Sequence, residues 1–186
     1  MITRIVLAFS LALFIGPTLL SNAATLQKRD HLTAQEIDLV KEAQALDKRI
    51  EVFIKAAERR VMVINGSSAA NAKQLKKDAE RWGELPSGSR ADLVADIAHI
   101  LDEAITNIDD VSSRDERNPL IPKSLRKLAQ SVSMIMVQLK PLSAQAKSDA
   151  EVASFALLDE DAQSILEAAG KLPAEVEKKA KKNEKK

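Results

Sequence analysis

The residues best suited to chemistry in this 186-residue chain are its two histidines and the carboxylates near one of them. Four polar residues follow one another at spacings of 4, 3 and 4, namely Asp92, Asp96, His99 and Glu103. In a helix this spacing puts all four on one face, where carboxylates and an imidazole could ligate a divalent metal ion. The apolar residues of the same segment, however, centre about 135° away around the helix. The sequence therefore predicts a solvent-facing polar stripe and no metal site.

Motifs for other kinds of chemistry are absent from the sequence. There is no cysteine, so a covalently held haem has no attachment site. Met134 and Met136 flank a predicted core stripe, but no histidine faces that core with them, and His31 precedes the first predicted helix. The glycines are isolated and do not form a phosphate-cradling loop. We therefore predict a protein that is not an enzyme and holds no cofactor.

Basic residues supply candidates for an interaction surface. Four lie on one side of the first predicted helix and four near the C-terminus: Lys41, Lys48, Lys55, Arg59, Lys178, Lys179, Lys181 and Lys182. The helical four could dock an anionic polymer or lipid. They could equally form a salt-bridged solvent face, since Glu51 precedes Lys55 by four residues. The C-terminal four could meet anionic lipid, lipopolysaccharide or an acidic protein surface, or only solubilise the chain end.

Aromatic residues are scarce, which limits the classes of partner. Beyond the N-terminal segment only Phe53, Trp82 and Phe155 remain, and tyrosine is absent. Single-stranded nucleic acids are usually held by several stacking rings, so nucleic-acid binding is not expected. The expected partners are another envelope protein or an anionic envelope surface.

The N-terminal segment has the three parts of a secretory signal. Arg4 precedes an apolar run from Ile5 to Ile15, and the small residues Ser21 and Ala23 follow. The run is shorter than the roughly 20 residues that span a membrane. We therefore predict cleavage after Ala23, a periplasmic or secreted location, and no membrane span in the mature chain.

The rest of the chain carries apolar residues at helical spacing. Thr33 and Glu36 form a capping-box pattern, and one apolar stripe continues from there to Ile64, which predicts a single long helix. A short helix near residues 71–82 and three further long stripes follow. Because each long stripe covers one side only, the sequence predicts an all-α antiparallel bundle of four main amphipathic helices plus one short helix.

These elements define four segments of the chain. Residues 1–23 are the predicted signal peptide and 24–32 a flexible lead-in. The bundle occupies 33–170, and a lysine-rich disordered tail covers 171–186. Formal charge alternates along the bundle, because 91–116 is mainly acidic, 117–148 is basic and 149–170 is acidic. That alternation favours consecutive helices lying side by side.

Part of the first helical segment resembles known exported proteins. The residues from Leu32 to Glu36 and from Asp47 to Arg60 resemble the opening of uncharacterised exported all-helical proteins of acidobacteria, a resemblance over about thirty residues that implies no particular activity. Leu32-Thr33-Ala34-Gln35 is also similar to the Leu-Thr-x-x-Gln motif of Spy-type periplasmic stress chaperones. Glu36 stands where that motif has its glutamine, and no second copy of the motif occurs.

These observations together predict a non-enzymatic exported helical bundle that acts through protein or envelope contacts. Two alternatives remain open from the sequence. One is a carrier of a small ligand or metal in the bundle core, and the other is a chaperone-like holdase of the periplasm.

Overall fold

The computed structural model describes residues 29–66 and 72–173, and these form six helices and no strand. They are α1 (Ala34–Glu42), α2 (Leu46–Ile64), α3 (Ala72–Trp82), α4 (Arg90–Arg114), α5 (Leu120–Ser143) and α6 (Asp149–Gly170). The all-α class and the four main helices predicted from the sequence are confirmed. The predicted signal peptide and the lysines of the predicted tail, Lys178, Lys179, Lys181 and Lys182, lie outside the described residues.

The core lies between the four long helices, where their apolar stripes meet. The largest fully buried apolar side chains come from all four: Phe53, Ile50, Ile97, Ile100, Leu101, Leu128, Ile135, Leu139, Leu158 and Ile165. Capping boxes at Thr33 and Ser89 begin α1 and α4, and the Ser148 hydroxyl accepts a hydrogen bond from the Glu151 amide at the start of α6. Local capping and burial of one helix face therefore act together to place these elements.

The four long helices occupy the corners of a square. Helix α2 packs against α4 and α5, and α6 packs against the same two helices, while the backbones of α2 and α6 are not neighbours. Consecutive helices α4 and α5 thus lie across the diagonal, where their contact is smaller. The expectation that α4 and α5 lie side by side is therefore wrong.

Ion pairs show the direction of neighbouring helices and the reason for this arrangement. Lys123 and Lys127 of α5 bond Asp47 and Glu51 of α2, each at 2.7 Å. Because the partners advance in the same order on both helices, α2 and α5 are parallel neighbours. The bases of α5 are paired with the acids of α2, so the charge alternation along the chain did not identify the correct partner helix.

The first predicted helix is divided in two, which is a second correction. Helix α1 ends at Glu42 and α2 begins at Leu46. The Arg49 guanidinium reaches back and donates to the Ala43 carbonyl at 3.1 Å, which satisfies an acceptor at the end of α1. The break contains no glycine or proline, so the usual sequence signal for a helix end is missing.

Packing also extends beyond both ends of the predicted bundle. Leu32, in the predicted flexible lead-in, is buried in the core. At the other end Leu172 packs against the core, and Arg126 of α5 donates to the Pro173 carbonyl at 2.6 Å. Among the described helices, none is both long enough and apolar enough to cross a membrane.

Candidate functional site

A buried cluster of charges joins α1 to α2. Glu36 is fully buried, and its two carboxylate oxygens accept hydrogen bonds from Arg60 at 2.9 and 2.8 Å. The Arg59 Nε atom lies 3.2 Å from the same carboxylate, and the Thr33 amide donates to it at 2.9 Å. The capping residue predicted at the start of the helix is thus also the counter-ion of two buried arginines.

Arg59 extends the cluster to the segment that follows α3. Its Nη2 donates to the carbonyls of Trp82, Gly83 and Glu84, and its guanidinium carbon lies 5.7 Å from the centre of the Trp82 ring. Burial lowers the pKa of Arg59, and the Glu36 charge opposes that shift. The side chain is 2% exposed, so its role is to hold α3 and its loop against α2.

Asp96 of α4 continues the cluster toward the surface. Its carboxylate is bound by Arg29 at 2.7 Å and lies 3.8 Å from Arg60 Nε. Desolvation raises the pKa of Asp96, although the two arginines favour its charged form. Asp96 is only 5% exposed, so the predicted solvent-facing stripe is wrong at this position, because the segment before α1 covers it.

The remaining polar residues of that stripe do lie at or near the surface. His31 Nε2 is 2.8 Å from a Glu103 carboxylate oxygen, and the rings of His31 and His99 are 5.8 Å apart. Together with Arg29 and Asp102 these residues line a polar cavity of about 440 Å³. Within the described ranges no group of three or more histidines or acids is arranged to hold a metal ion.

The four basic residues predicted along the first helix do not form one strip. Lys41 is exposed on α1, and Lys48 is exposed on α2 beside Glu51 at 3.2 Å. Lys55 bridges to Asp78 of α3 at 3.4 Å. Arg59 is buried, so it is not available to a partner at the surface. Because α1 and α2 are separate helices, only Lys48 and Lys55 share an accessible helix face.

A different surface stands out on α5 and α6. The large apolar side chains that remain exposed among the described residues are Met134, Val137, Val152 and Leu166, and all four belong to these two helices. Between the end of α5 and the start of α6 lies an open cavity of about 570 Å³. Its apolar lining includes Met136, Val137, Phe155 and Leu158. We call this cavity and the helix surfaces beside it the α5–α6 groove.

The α5–α6 groove has two charged residues in its lining, Lys140 on α5 and Asp159 on α6. They do not form an ion pair with each other, and within the described ranges neither side chain has another ionic partner. On α6 the exposed residues Val152 and Leu166 each stand seven positions from Asp159. Gln130 of α5 and Ala144, which caps the end of that helix, each stand seven positions from Val137. This groove was not predicted from the sequence, because a spacing of seven residues repeats one helix face without showing whether that face is inside or outside the core.

The two sites differ in what they can do. The charge cluster around Glu36 is enclosed and its charges are paired with one another, so it holds α1, α2 and the segment before α4 together. The α5–α6 groove is open, largely apolar and lightly charged, which are the properties of a binding surface. No family model, no curated protein and no solved structure matches this chain, so the assignment depends on the geometry alone.

Proposed function

We propose that this chain is a non-enzymatic exported helical bundle that acts through protein contacts in the cell envelope. The observation that carries the proposal is the exposed apolar surface of the α5–α6 groove. Val137, which lines the cavity, is 73% exposed, and Val152, three residues before the lining residue Phe155, is 55% exposed. Contiguous apolar surface of this kind on a small protein is typical of an interaction site.

The charge pattern of α5 adds support for a protein partner over an anionic surface. Twelve successive residues of α5, from Leu128 to Leu139, carry no charge. The helix therefore presents an uncharged middle, whereas binding to an anionic surface requires clustered bases. Lys41, Lys48 and Lys55 remain predicted interaction residues, but each of the three already has an acidic neighbour.

Site-specific photocrosslinking in the cell tests the contact. A photoreactive phenylalanine analogue replaces Val137 in the groove, and the matched control carries it at Asp109, an exposed position of α4. We expect a discrete crosslinked product from position 137 and none from position 109. Absence of a product at 137, or the same products at both positions, would remove the basis of the proposal.

Export is tested separately by the N-terminus of the protein recovered from cells. We expect the recovered chain to begin at Ala24 and to be found in the periplasm or the medium. A chain that retains Met1 and remains in the cytoplasm would contradict the proposed export. It would not bear on the proposed protein contact at the groove.

A second candidate function is a carrier of a small apolar ligand, which the cavity volume favours. The site would be the α5–α6 groove, not the bundle core predicted for such a carrier. A ligand at a hundredfold excess over its dissociation constant raises stability by about 2.7 kcal/mol. Dodecanoate is a suitable probe because it combines an apolar chain with an anion for Lys140. No rise in melting temperature with dodecanoate would exclude acyl anions of this size.

A further inference from the structure

We propose that the partner in the α5–α6 groove is a second copy of this chain, related by a two-fold axis that runs along the groove. This inference rests on the proposed function, because it names the protein that covers the same surface. In such a dimer α5 of each copy packs on α6 of the other.

The two helices run antiparallel with a register that the contacts define. Arg126 near the start of α5 bonds the Pro173 carbonyl beyond the end of α6, and Lys140 lies beside Leu158 and Asp159 in the groove. Lys140 and Asp159 are therefore at nearly the same height along the groove. A two-fold axis parallel to the helices keeps every residue at its height and exchanges the positions of α5 and α6.

That operation places opposite charges against each other. Lys140 of one copy comes to face Asp159 of its partner, and the reverse contact forms by symmetry. Both charges are without a partner within the described part of one chain, so the dimer supplies two ion pairs that the single copy does not make. A two-fold axis across the helices would instead stack α5 on α5 and bring two Lys140 side chains together.

Side-chain sizes fit the same arrangement. By the register above, Leu166 of α6 stands at the height of Ser133 of α5. In the dimer this large apolar side chain of α6 therefore meets a small uncharged residue of α5. Alternation of large and small residues across facing helices allows close packing. Met134 is not part of this interface, because it lines a separate groove between α2 and α5.

Charge reversal on the mature chain gives the decisive experiment, with sedimentation velocity as the measurement. The wild-type chain is expected to be a dimer at micromolar concentration. Lys140→Asp and Asp159→Lys each create two like-charge contacts across the axis, so each is expected to weaken the dimer about 100-fold or more. The double variant, which reverses both ion pairs, is expected to recover the dimer.

Mixing the two single variants provides the sharpest control. A copy with Lys140→Asp presents two acids and a copy with Asp159→Lys presents two bases, so the two are expected to form a mixed dimer although neither pairs with itself. Melting temperatures of the single variants check that each remains folded. Arg114→Asp, an exposed change at the end of α4, is expected to leave the dimer unchanged.

Cysteine crosslinking tests the axis independently, because the chain has no cysteine of its own. Val137→Cys is expected to give a covalent dimer with a short bis-maleimide, and Ser113→Cys on α4 is not. A monomeric wild-type chain, or a dimer that ignores both charge reversals, would overturn the proposal. A different protein crosslinked at position 137 in cells would also overturn it, yet it would leave the proposed function standing.

Discussion

Glu36 is the counter-charge on which the buried cluster depends. Its carboxylate binds Arg60 through both oxygens and lies beside Arg59, and all three side chains are at most 2% exposed. Taking charges out of water is unfavourable unless they are paired and hydrogen-bonded. Asp96 contributes a second negative charge near Arg60. Removal of either carboxylate would therefore leave buried arginine charge without its full counter-charge.

Glu36→Gln is expected to destabilise the fold by about 3–5 kcal/mol, because it leaves two buried guanidinium groups with too little negative charge. Urea unfolding followed by circular dichroism measures the loss. Glu42→Gln, an exposed change at the end of the same helix, is the matched control and should alter stability by less than about 0.5 kcal/mol. Equal effects from both variants would show that the cluster adds nothing to stability.

Asp161 of α6 is a carboxylate whose charge opposes folding. One of its oxygens is buried without a hydrogen-bond partner among the described residues. Desolvation raises the pKa of Asp161, as do the nearby charges of Asp102 and Glu160, while His99 opposes the shift. Because the folded state favours the protonated form, the stability from this group is present in acid and is lost as the pH rises through its folded pKa.

Asp161→Asn is therefore expected to raise the melting temperature at neutral pH. The advantage should shrink as the pH falls through the raised pKa of Asp161, because the wild-type carboxyl then becomes protonated as well. Thermal melts across this pH range measure the difference. Asp109→Asn, exposed on α4, should show no comparable pH-dependent gain, and a gain of the same size there would contradict the explanation.

At the scale of the elements, the turn between α3 and α4 is fixed by close contact with α1. Gly83 has φ +66°, and a Cβ atom there would lie 3.3 Å from Gln35 Cβ. Gly66, after α2, has φ +63°, but a Cβ atom added there would have no neighbouring atom within 4 Å. Both glycines adopt the left-handed backbone conformation that favours glycine. Only at Gly83 would an added side chain also collide with a neighbouring residue.

Replacing either glycine with alanine is expected to cost about 1 kcal/mol for the left-handed backbone. Gly83→Ala should cost more than Gly66→Ala, because α1 must also shift to admit the methyl group. Urea unfolding of the two variants side by side measures the excess. Equal costs would mean that α1 adapts freely to the added methyl group.

The helices could be predicted from the sequence because their apolar stripes and caps are local patterns. The break between α1 and α2 could not, since it depends on Arg49 reaching back to Ala43 and on Glu36 meeting Arg60, both of which are contacts of the folded chain. The burial of Arg59 was missed for the same reason. An arginine on the apparently polar side of one helix became interior when α3 and its loop covered it.

The α5–α6 groove could not be predicted from the sequence either, for a different reason. Val137, Val152 and Leu166 are ordinary residues in helices that already have an apolar stripe, so they do not differ from core residues in type. They become distinctive only when the core is known and they are seen to be outside it. Lys140 and Asp159 are likewise common residues until they are found together in one groove.

At the scale of the molecule, the bundle includes residues assigned to the tail by the sequence. A chain ending at Pro173 is expected to be more stable than one ending at Gly170 by about 1–2 kcal/mol, because Leu172 packs against the core. Removal of Pro173 also deletes the carbonyl that Arg126 binds. Thermal melts of the two shortened chains measure this difference, and identical melting temperatures would contradict it.

The parallel pairing of α2 with α5 has a consequence for a chain that is made from its N-terminus. The ion pairs between these helices join residues 76 positions apart, and α4 bonds α6 through Arg90 and Glu151 at a separation of 61. A nascent chain that has reached Arg114 can form one of the four neighbouring pairs, that of α2 and α4. Both helices then still expose the faces that α5 and α6 will cover. Because α6 is the last helix to be made and packs on both α4 and α5, this bundle can close only after nearly all of its described sequence has been synthesised.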